Sequence, residues 1–200
     1  KCLVFEIRDL WPELPRAMGV ITNPVVLAGL AALEWLVYRC ADRLIGLSKG
    51  MVDGIVARGV SEFDVKLIPN GCDFDLFQDA ATLSVRPAPF GDDDLVAIYA
   101  GSHGVANGLD AVIAAANELR RRGDLRVKFL CVGDGSQKQS LRQSVIDAGL
   151  EDRVVFLEPV GKSELAGLIQ GADVGIQCLA NVEAFYEGTS PNKFFDYIAS

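Results

Sequence analysis

Histidine is almost missing from this 200-residue chain: His103 is the only one. No Ser–His–Asp triad can draw on another imidazole, and a zinc site built from several is excluded. Cysteine is scarce and unpaired. Cys2, Cys40, Cys72, Cys131 and Cys178 are odd in number, form no CxxC and mostly sit in apolar runs. They read as reduced, buried thiols of a cytoplasmic protein, not as a disulfide framework. Positive charge is also short, with 19 Lys and Arg against 27 Asp and Glu. A protein that tracks a nucleic-acid backbone needs a dense basic surface, so nucleic acid is set aside as a partner. No DxD-type carboxylate pair sits at a strand end to hold Mg²⁺, and Asp92-Asp93-Asp94 reads as solvated charge. No metal or other cofactor is expected. The apolar stretch from Val25 to Arg39 has Glu34 as its only acid. At 1.5 Å per residue it is too short to span a bilayer, and it reads as a buried or interfacial helix.

What remains is a globular composition, half hydrophobic and under a quarter charged, arranged as α/β. Short apolar runs at 2–8, 43–47 and 65–69 read as strands, and the prolines of Asp9–Pro15 forbid a regular element. Ser48 is a good N-cap for a helix that Gly59 stops. Strands at 95–100, 126–132, 154–157 and 174–178 alternate with helices at 107–122, 137–148 and 163–170, with Ser163 as the N-cap of the last. A final helix begins near Asn192. This alternation predicts a parallel sheet covered on both faces, with ligands at the loops beyond the strand carboxyl ends. Pro87, Pro89, Gly91 and the three aspartates mark 79–94 as a linker. It separates a first domain over 1–78 from a second over 95–200. Lys1 lies in an apparent strand and Ser200 in a helical pattern, so both ends read as cut.

Three strand-to-helix loops can carry chemistry. Tyr99–Asp110 places Gly101, Ser102, Gly104, Asn107 and Gly108 between a strand and a helix N-terminus, where free N–H groups suit a phosphate. Its spacing is not GxGxxG and no acid ends the next strand, which disfavours a nicotinamide dinucleotide. Val132-Gly133-Asp134-Gly135 repeats the pattern, though a structural turn explains it equally well. Glu183–Asp196 is the most informative loop. Ser190 suits an N-cap and Pro191 the first turn, while Thr189 and Ser190 can hydrogen-bond a phosphate. Lys193 in the first turn opposes the helix dipole unless an anion binds there. The competing structural reading is an ordinary amphipathic helix with solvated Lys193 and Asp196. Arg8 and Asp9, before a Trp-Pro turn, can line a cleft, or they can form a pair that fixes the turn.

These segments in this order resemble the family 4 retaining glycosyltransferases of GT-B fold: Glu6–Glu13 (EIRDLWPE), Ala41–Ser48, Ile68–Asp73, Gly101–Gly104 with Asn107–Asp110, Val132–Gly135 and Thr189–Asp196. The RDLWPE and SPNK forms are similar to the bacterial O-antigen and capsule subgroup, including N-acetylfucosamine transferases. The resemblance implies two Rossmann-like doubly wound domains, truncated here at both ends, with 1–78 on the acceptor side. It implies a UDP-sugar donor in the interdomain cleft, no metal, and a lipid-linked saccharide acceptor. It also implies a place at the inner face of the cytoplasmic membrane, with a peripheral contact helped by the apolar 25–37 stretch; the alternative is that this helix is simply core. Asp196 falls where the second acid of the family's paired-acid motif grips the donor ribose. Lys193 and the Gly101–Gly108 loop would hold the pyrophosphate, with Gly133 and Asn192 beside them. Val160 and nearby backbone would meet the base, and Arg8, Asp9 and Lys193 would carry the chemistry. Glu187 stands one residue further from Asp196 than the family spacing, Asp196 replaces the commoner Glu, and Arg8 replaces a histidine. A nucleotide-sugar 2-epimerase of the same fold and a non-catalytic nucleotide-sugar-binding subunit are the alternatives. One histidine counts against the epimerase.

Overall fold

Two parallel sheets organise the chain, one in each of two units. The computed structural model describes residues 2–80, 86–186 and 188–200. Unit 1 comprises Lys1–Asn70 and Asn181–Pro191, and unit 2 comprises Gly71–Ala180 and Asn192–Ser200.

In unit 1, β1 (Val4–Ile7), β2 (Arg43–Gly46) and β3 (Val65–Leu67) lie in the order β1-β2-β3. The register sets Ile7 beside Gly46 and Gly46 beside Leu67. Parallel neighbours need long crossovers. Helices α1 (Glu13–Ala17) and α2 (Pro24–Cys40) supply the first, and α3 (Lys49–Ala57) the second. Asn23 starts α2 by accepting from the Val25 N–H at 2.9 Å, with Pro24 at the first helical position. Ser48 starts α3 by accepting from the Met51 N–H at 3.2 Å, and Gly59 (φ +87°) follows its end. Ile7, Tyr38, Leu44, Ile55 and Val65 form the core.

Several expectations are corrected here. Residues 13–17 are helical although Pro15 lies among them, because a first-turn residue has no use for its N–H. Cys2 and Cys40 are exposed, one just ahead of edge strand β1 and the other in the last turn of α2. Along α2 only Tyr38 is buried, and Val25, Leu33, Trp35 and Leu36 are more than half exposed.

In unit 2, β4 (Leu95–Ala100), β5 (Val127–Val132), β6 (Val154–Leu157) and β7 (Val174–Gly175) take the order β6-β5-β4-β7. Both faces are covered. Ala97 and Tyr99 point into one core with Leu109 and Cys131, and Val96, Ile98 and Ala100 into the other with Leu130 and Ala166. Full burial of Ile98 or Leu130 stabilises by about 1.5–3 kcal/mol each, so near-continuous apolar strands are the natural sequence for such a sheet. Crossovers run through α5 (Asp110–Arg121), α6 (Lys138–Asp147) and α7 (Lys162–Gln170). Helix α4 (Phe74–Ala80) precedes β4 and buries Phe77 in the second core, so the packing of unit 2 begins at Gly71, ahead of the 79–94 stretch. Residues 81–85 of that stretch lie outside the described residues.

Helix α5 starts later than its sequence pattern suggests, because Gly108 turns left-handed (φ +58°) after a 3-10 turn over Val105–Asn107. Helix α7 starts at Lys162 after Gly161, which leaves Ser163 inside the helix and not at its cap. Strand β7 ends at Gly175, one further N–H (Ile176) bonds the Ile98 carbonyl at 2.7 Å, and Ala180 then bonds the Ala106 carbonyl at 2.9 Å. Helix α8 (Asn192–Ala199) lies over that strand, where a Cβ on Gly175 would meet the Tyr197 ring within 2.5–2.8 Å. Pro191 precedes α8 and is not in its first turn.

Candidate functional site

The strand order of unit 2 fixes where a ligand fits. Successive strands run outward from β4 through β5 to β6, and the chain then returns to place β7 on the other side of β4. The crevice at such a reversal opens beyond the strand carboxyl ends, where neighbouring loops part in opposite directions. The loops after β4 and β7 leave from that point, and α8 joins them.

The loop after β4 is built against backbone. Gly101 (φ +147°) donates its N–H to the Val132 carbonyl at 2.9 Å, and His103 donates to the Asp134 carbonyl at 2.8 Å. Gly133 has φ +141°, and a Cβ there would overlap the Gly101 carbonyl. A Cβ on Gly135 would come within 2.6–2.8 Å of the His103 backbone. The Gly101 and Gly133 loops thus touch main chain to main chain, and only glycine permits it. Ser102 is exposed and Gly104 half-buried. The Tyr99 hydroxyl donates to the Ser102 carbonyl at 2.8 Å. His103 is fully buried beside Phe156 and Tyr99, with neither ring nitrogen hydrogen-bonded. Burial holds its pKa below 6.5, and the nearby Lys138 ammonium pushes the same way against Asp134 and Glu158.

Lys138, Lys162 and Lys193 all lie in first turns of helices, and the surroundings of Lys138 and Lys193 differ. Lys138 of α6 is buried and fully engaged. Its Nζ donates to the carbonyls of Gly133 (2.8 Å) and Leu157 (3.1 Å) and pairs with Glu158 at 2.8 Å. Lys193 of α8 has no carboxylate partner among the described residues. Its Nζ lies 4.9 Å from the centre of the Tyr99 ring and 3.4 Å from Asn107 Oδ1, and its stem crosses Gly101. Burial lowers its pKa below 10.5. A half-buried cation at a positive helix end, with no carboxylate partner among the described residues, carries a desolvation cost that the helix dipole does not relieve.

One residue beyond Asp196, Tyr197 ties α8 to the sheet. Its hydroxyl accepts from the Ala100 N–H at 3.0 Å and donates to the Ile176 carbonyl at 3.1 Å. Burial pushes its pKa up to about 12. Asp196 and Asn192 line a cavity of about 730 Å³ with Asp73, Lys162 and Leu165. Burial raises the Asp196 carboxyl above 3.8, against the pull of Lys162. Val160 packs, partly buried, on the core beneath that side of the sheet.

The remaining candidates belong to unit 1. Arg8 pairs with Glu6 at 2.7 Å, both exposed. Asp9 and Arg8 stand at the rim of a cavity of about 370 Å³ with an apolar floor that includes Ile7, Leu30 and Val37. Partial burial raises the Asp9 carboxyl above 3.8, with Arg8 pulling it down. Thr189 and Ser190 are half-buried. The Ser190 hydroxyl accepts from the Asn70 N–H at 3.3 Å, and the Ser190 carbonyl accepts from the Asn70 side chain. Glu187 lies outside the described residues.

The structure therefore gathers Gly101, Ser102, Gly104, Asn107, Gly133 and Lys193 at one strand-end crevice of unit 2, with Asn192 and Asp196 on the adjoining cavity. Sequence reading missed Tyr197, Lys138 and the burial of His103. The only available signal was Lys138 itself, a cation in a first turn like Lys193.

A family profile described as Glycosyl transferases group 1 matches residues 94–200, over half the chain. The chain belongs to this glycosyltransferase family. An Escherichia coli (strain K12) protein named as a colanic acid biosynthesis glycosyl transferase, WcaI, is 29% identical over 58% of the chain and 28% of its own length. The D-inositol 3-phosphate glycosyltransferase of Mycobacteroides abscessus is 29% identical over 67% of the chain and 31% of its own length. Among solved structures, the lipopolysaccharide biosynthesis glycosyltransferase WaaG matches 98% of the chain and 54% of its own with a TM-score of 0.72 at 12% identity. Anabaena HepE in complex with UDP-glucose matches 88% and 46% with a TM-score of 0.65 at 23% identity. The glycosyltransferase chain thus spans under a third of these curated relatives and about half of these solved structures. At such identities the structures establish the fold, which is GT-B.

Proposed function

We propose that this glycosyltransferase moves a sugar from a UDP-sugar to a lipid-linked or polysaccharide acceptor, with retention at the anomeric carbon and without a metal. The observation that carries the reading is Lys193, a half-buried ammonium with no carboxylate partner among the described residues, set beside the glycine loop at the reversal of strand order. HepE has been solved with UDP-glucose, and this supports UDP as the nucleotide. WcaI is named for colanic acid and WaaG for lipopolysaccharide, which supports cell-surface glycan synthesis. The resemblance to O-antigen enzymes extends this to an N-acetylated amino sugar.

In this reading the diphosphate lies on the amides of Gly101, Ser102 and Gly104, with Gly133 beneath and Asn107, Asn192 and Lys193 around it. Asp196 accepts from the ribose hydroxyls, and backbone at Val160 meets the base. Thr189 and Ser190 add phosphate contacts, and Glu187 is assigned to the donor sugar. As the acceptor oxygen bonds to the anomeric carbon, the bond from that carbon to the diphosphate breaks. The electron pair stays on the departing oxygen, which takes the acceptor proton. Lys193 and the amides oppose that growing charge, and Arg8 and Asp9 orient the acceptor hydroxyl.

No group of three or more His, Cys, Asp or Glu side chains able to hold a metal occurs among the described residues. No helix among them is long and apolar enough to cross a membrane. The exposed apolar side chains of α2 support a peripheral contact at the inner face of the cytoplasmic membrane. The test is product analysis with full-length enzyme, UDP-N-acetylhexosamine and a lipid-linked saccharide, in EDTA. A new glycoside of the donor's anomeric configuration is expected. An inverted glycoside, an epimerised donor or an absolute need for Mg²⁺ would each overturn the corresponding part.

A further inference from the structure

Three charged residues far apart in sequence converge in unit 1. Arg58, at the end of α3, donates through Nε to Glu34 of α2 at 2.9 Å and through NH1 to the Gly54 carbonyl at 2.6 Å. Its remaining nitrogen pairs with Glu13, the first residue of α1. The Tyr38 hydroxyl donates to the other oxygen of Glu34 at 2.8 Å. The side chain of Glu34 is 10% exposed and that of Arg58 21%. Neutralising Arg58 needs only one carboxylate, and Glu34 supplies it. The second carboxylate, Glu13, is half exposed and has little desolvation to offset, so the fold does not require it.

Glu13 is the first residue of α1, so its pair with Arg58 joins the start of α1 to the end of α3, and α1 directly continues the loop that carries Arg8 and Asp9. The same loop is fastened one turn back along α3. Leu10 occupies the space above Gly54, where an added Cβ would lie 2.6 Å from Leu10 Cδ1. The Leu14 and Arg16 N–H groups bond the Leu10 and Pro12 carbonyls at 3.0 and 3.2 Å, closing the loop onto α1. Arg8, by contrast, pairs only with exposed Glu6 among the described residues. The direction in which Arg8 and Asp9 point is therefore set by the frame of the loop, and Arg58 grips that frame.

We propose that Arg58 is a positioning residue for the transfer reaction: through Glu13 and the Gly54 turn it holds the loop that presents Arg8 and Asp9. The proposal rests on the assignment of Arg8 and Asp9 to the acceptor side. Its test uses full-length enzyme, steady-state kinetics in both substrates and thermal melting, with Glu13→Gln, Arg58→Lys, their double variant and Asp9→Asn. Glu13→Gln keeps the shape and removes one charge at a half-exposed position, so the fold is retained. Glu13→Gln and Arg58→Lys are each expected to lower kcat by about tenfold, since small misplacements of reacting groups cost that much or more. Donor KM should stay within about twofold, and the double variant should be no worse than the worse single one. If Asp9→Asn lowers kcat while Glu13→Gln and Arg58→Lys leave it unchanged, the positioning role is overturned and the acceptor assignment stands. If Asp9→Asn also leaves kcat unchanged, that assignment falls and the proposal with it. Activity lost only in step with the folded fraction would reduce the cluster to a staple of the fold and overturn the proposal.

Discussion

Replacing Lys193 by methionine should separate stability from activity. In the nucleotide-free protein the ammonium has little to lose. Its contact with the Tyr99 ring at 4.9 Å is worth about 0.5–1 kcal/mol. Its approach to Asn107 at 3.4 Å is long for a hydrogen bond and contributes about 0.5 kcal/mol. Against these, removing a half-buried charge from a positive helix end returns part of its desolvation cost, and methionine keeps the apolar stem against Gly101. The free protein should therefore stay within about 1 kcal/mol of the parent. Turnover is another matter. One or two charge-assisted hydrogen bonds to a diphosphate whose charge grows in the transition state are worth about 2–4 kcal/mol, or roughly 30- to 1000-fold in kcat. The assays are denaturant unfolding with and without UDP, and steady-state kinetics in donor. The variant should unfold like the parent without UDP and lose the stabilisation that UDP confers. A drop of more than about 2 kcal/mol without UDP would make Lys193 a structural cation. An unchanged kcat would remove it from the chemistry.

Four further outcomes follow from the same geometry. Asp196→Asn should weaken donor binding by about tenfold or more while leaving kcat nearly unaltered, because the ribose is remote from the breaking bond. Donor kcat/KM should fall on the alkaline side below pH 10.5, since burial lowers the Lys193 pKa and its charge is lost as pH rises through that lowered value; Lys193→Arg should move the fall upward. His103 titrates below 6.5 in the folded state, so its contribution to stability should be lost as pH falls from about 6.5 towards the folded value. The one imidazole NMR signal should report this titration directly, and His103→Phe should flatten the acid limb of the melting temperature. Tyr197→Phe strips partners from the Ala100 N–H and the Ile176 carbonyl and should cost about 2 kcal/mol. Amide exchange at Ala100 should speed up and donor KM should rise; unchanged protection there would dismiss the anchor.

Much of unit 2 was legible because its signals are local. The strands at 95–100, 127–132 and 154–157 are apolar on both faces, as buried parallel strands must be, and glycines follow two of them. Lys193 stood out as a cation at the wrong end of a helix. The failures are tertiary. Whether Lys193 or Lys138 lacks a carboxylate depends on Glu158, twenty residues beyond Lys138 and on another element. The burial of His103 depends on the Gly133 loop crossing it, and the path after β7 includes a bond from Ala180 to the distant Ala106 carbonyl. Glu13, Glu34 and Arg58 look like unrelated surface charges until three helices bring them together. Pro15 argued against a helix that its first-turn position in fact permits.

The path of the chain through the two units has a consequence for synthesis. Segment 181–191 packs with unit 1, yet it interrupts unit 2 between β7 and α8. A ribosome therefore releases the four described strands of the second sheet before it makes Lys193. Until the chain has gone to the first unit and come back, the Ala100 N–H and the Ile176 carbonyl wait for Tyr197 with no phenol between them. A nascent chain stopped at Ala180 would hold the glycine loops without their cation. The two bonds of the Tyr197 hydroxyl to the sheet would then form abruptly, over the handful of residues of α8.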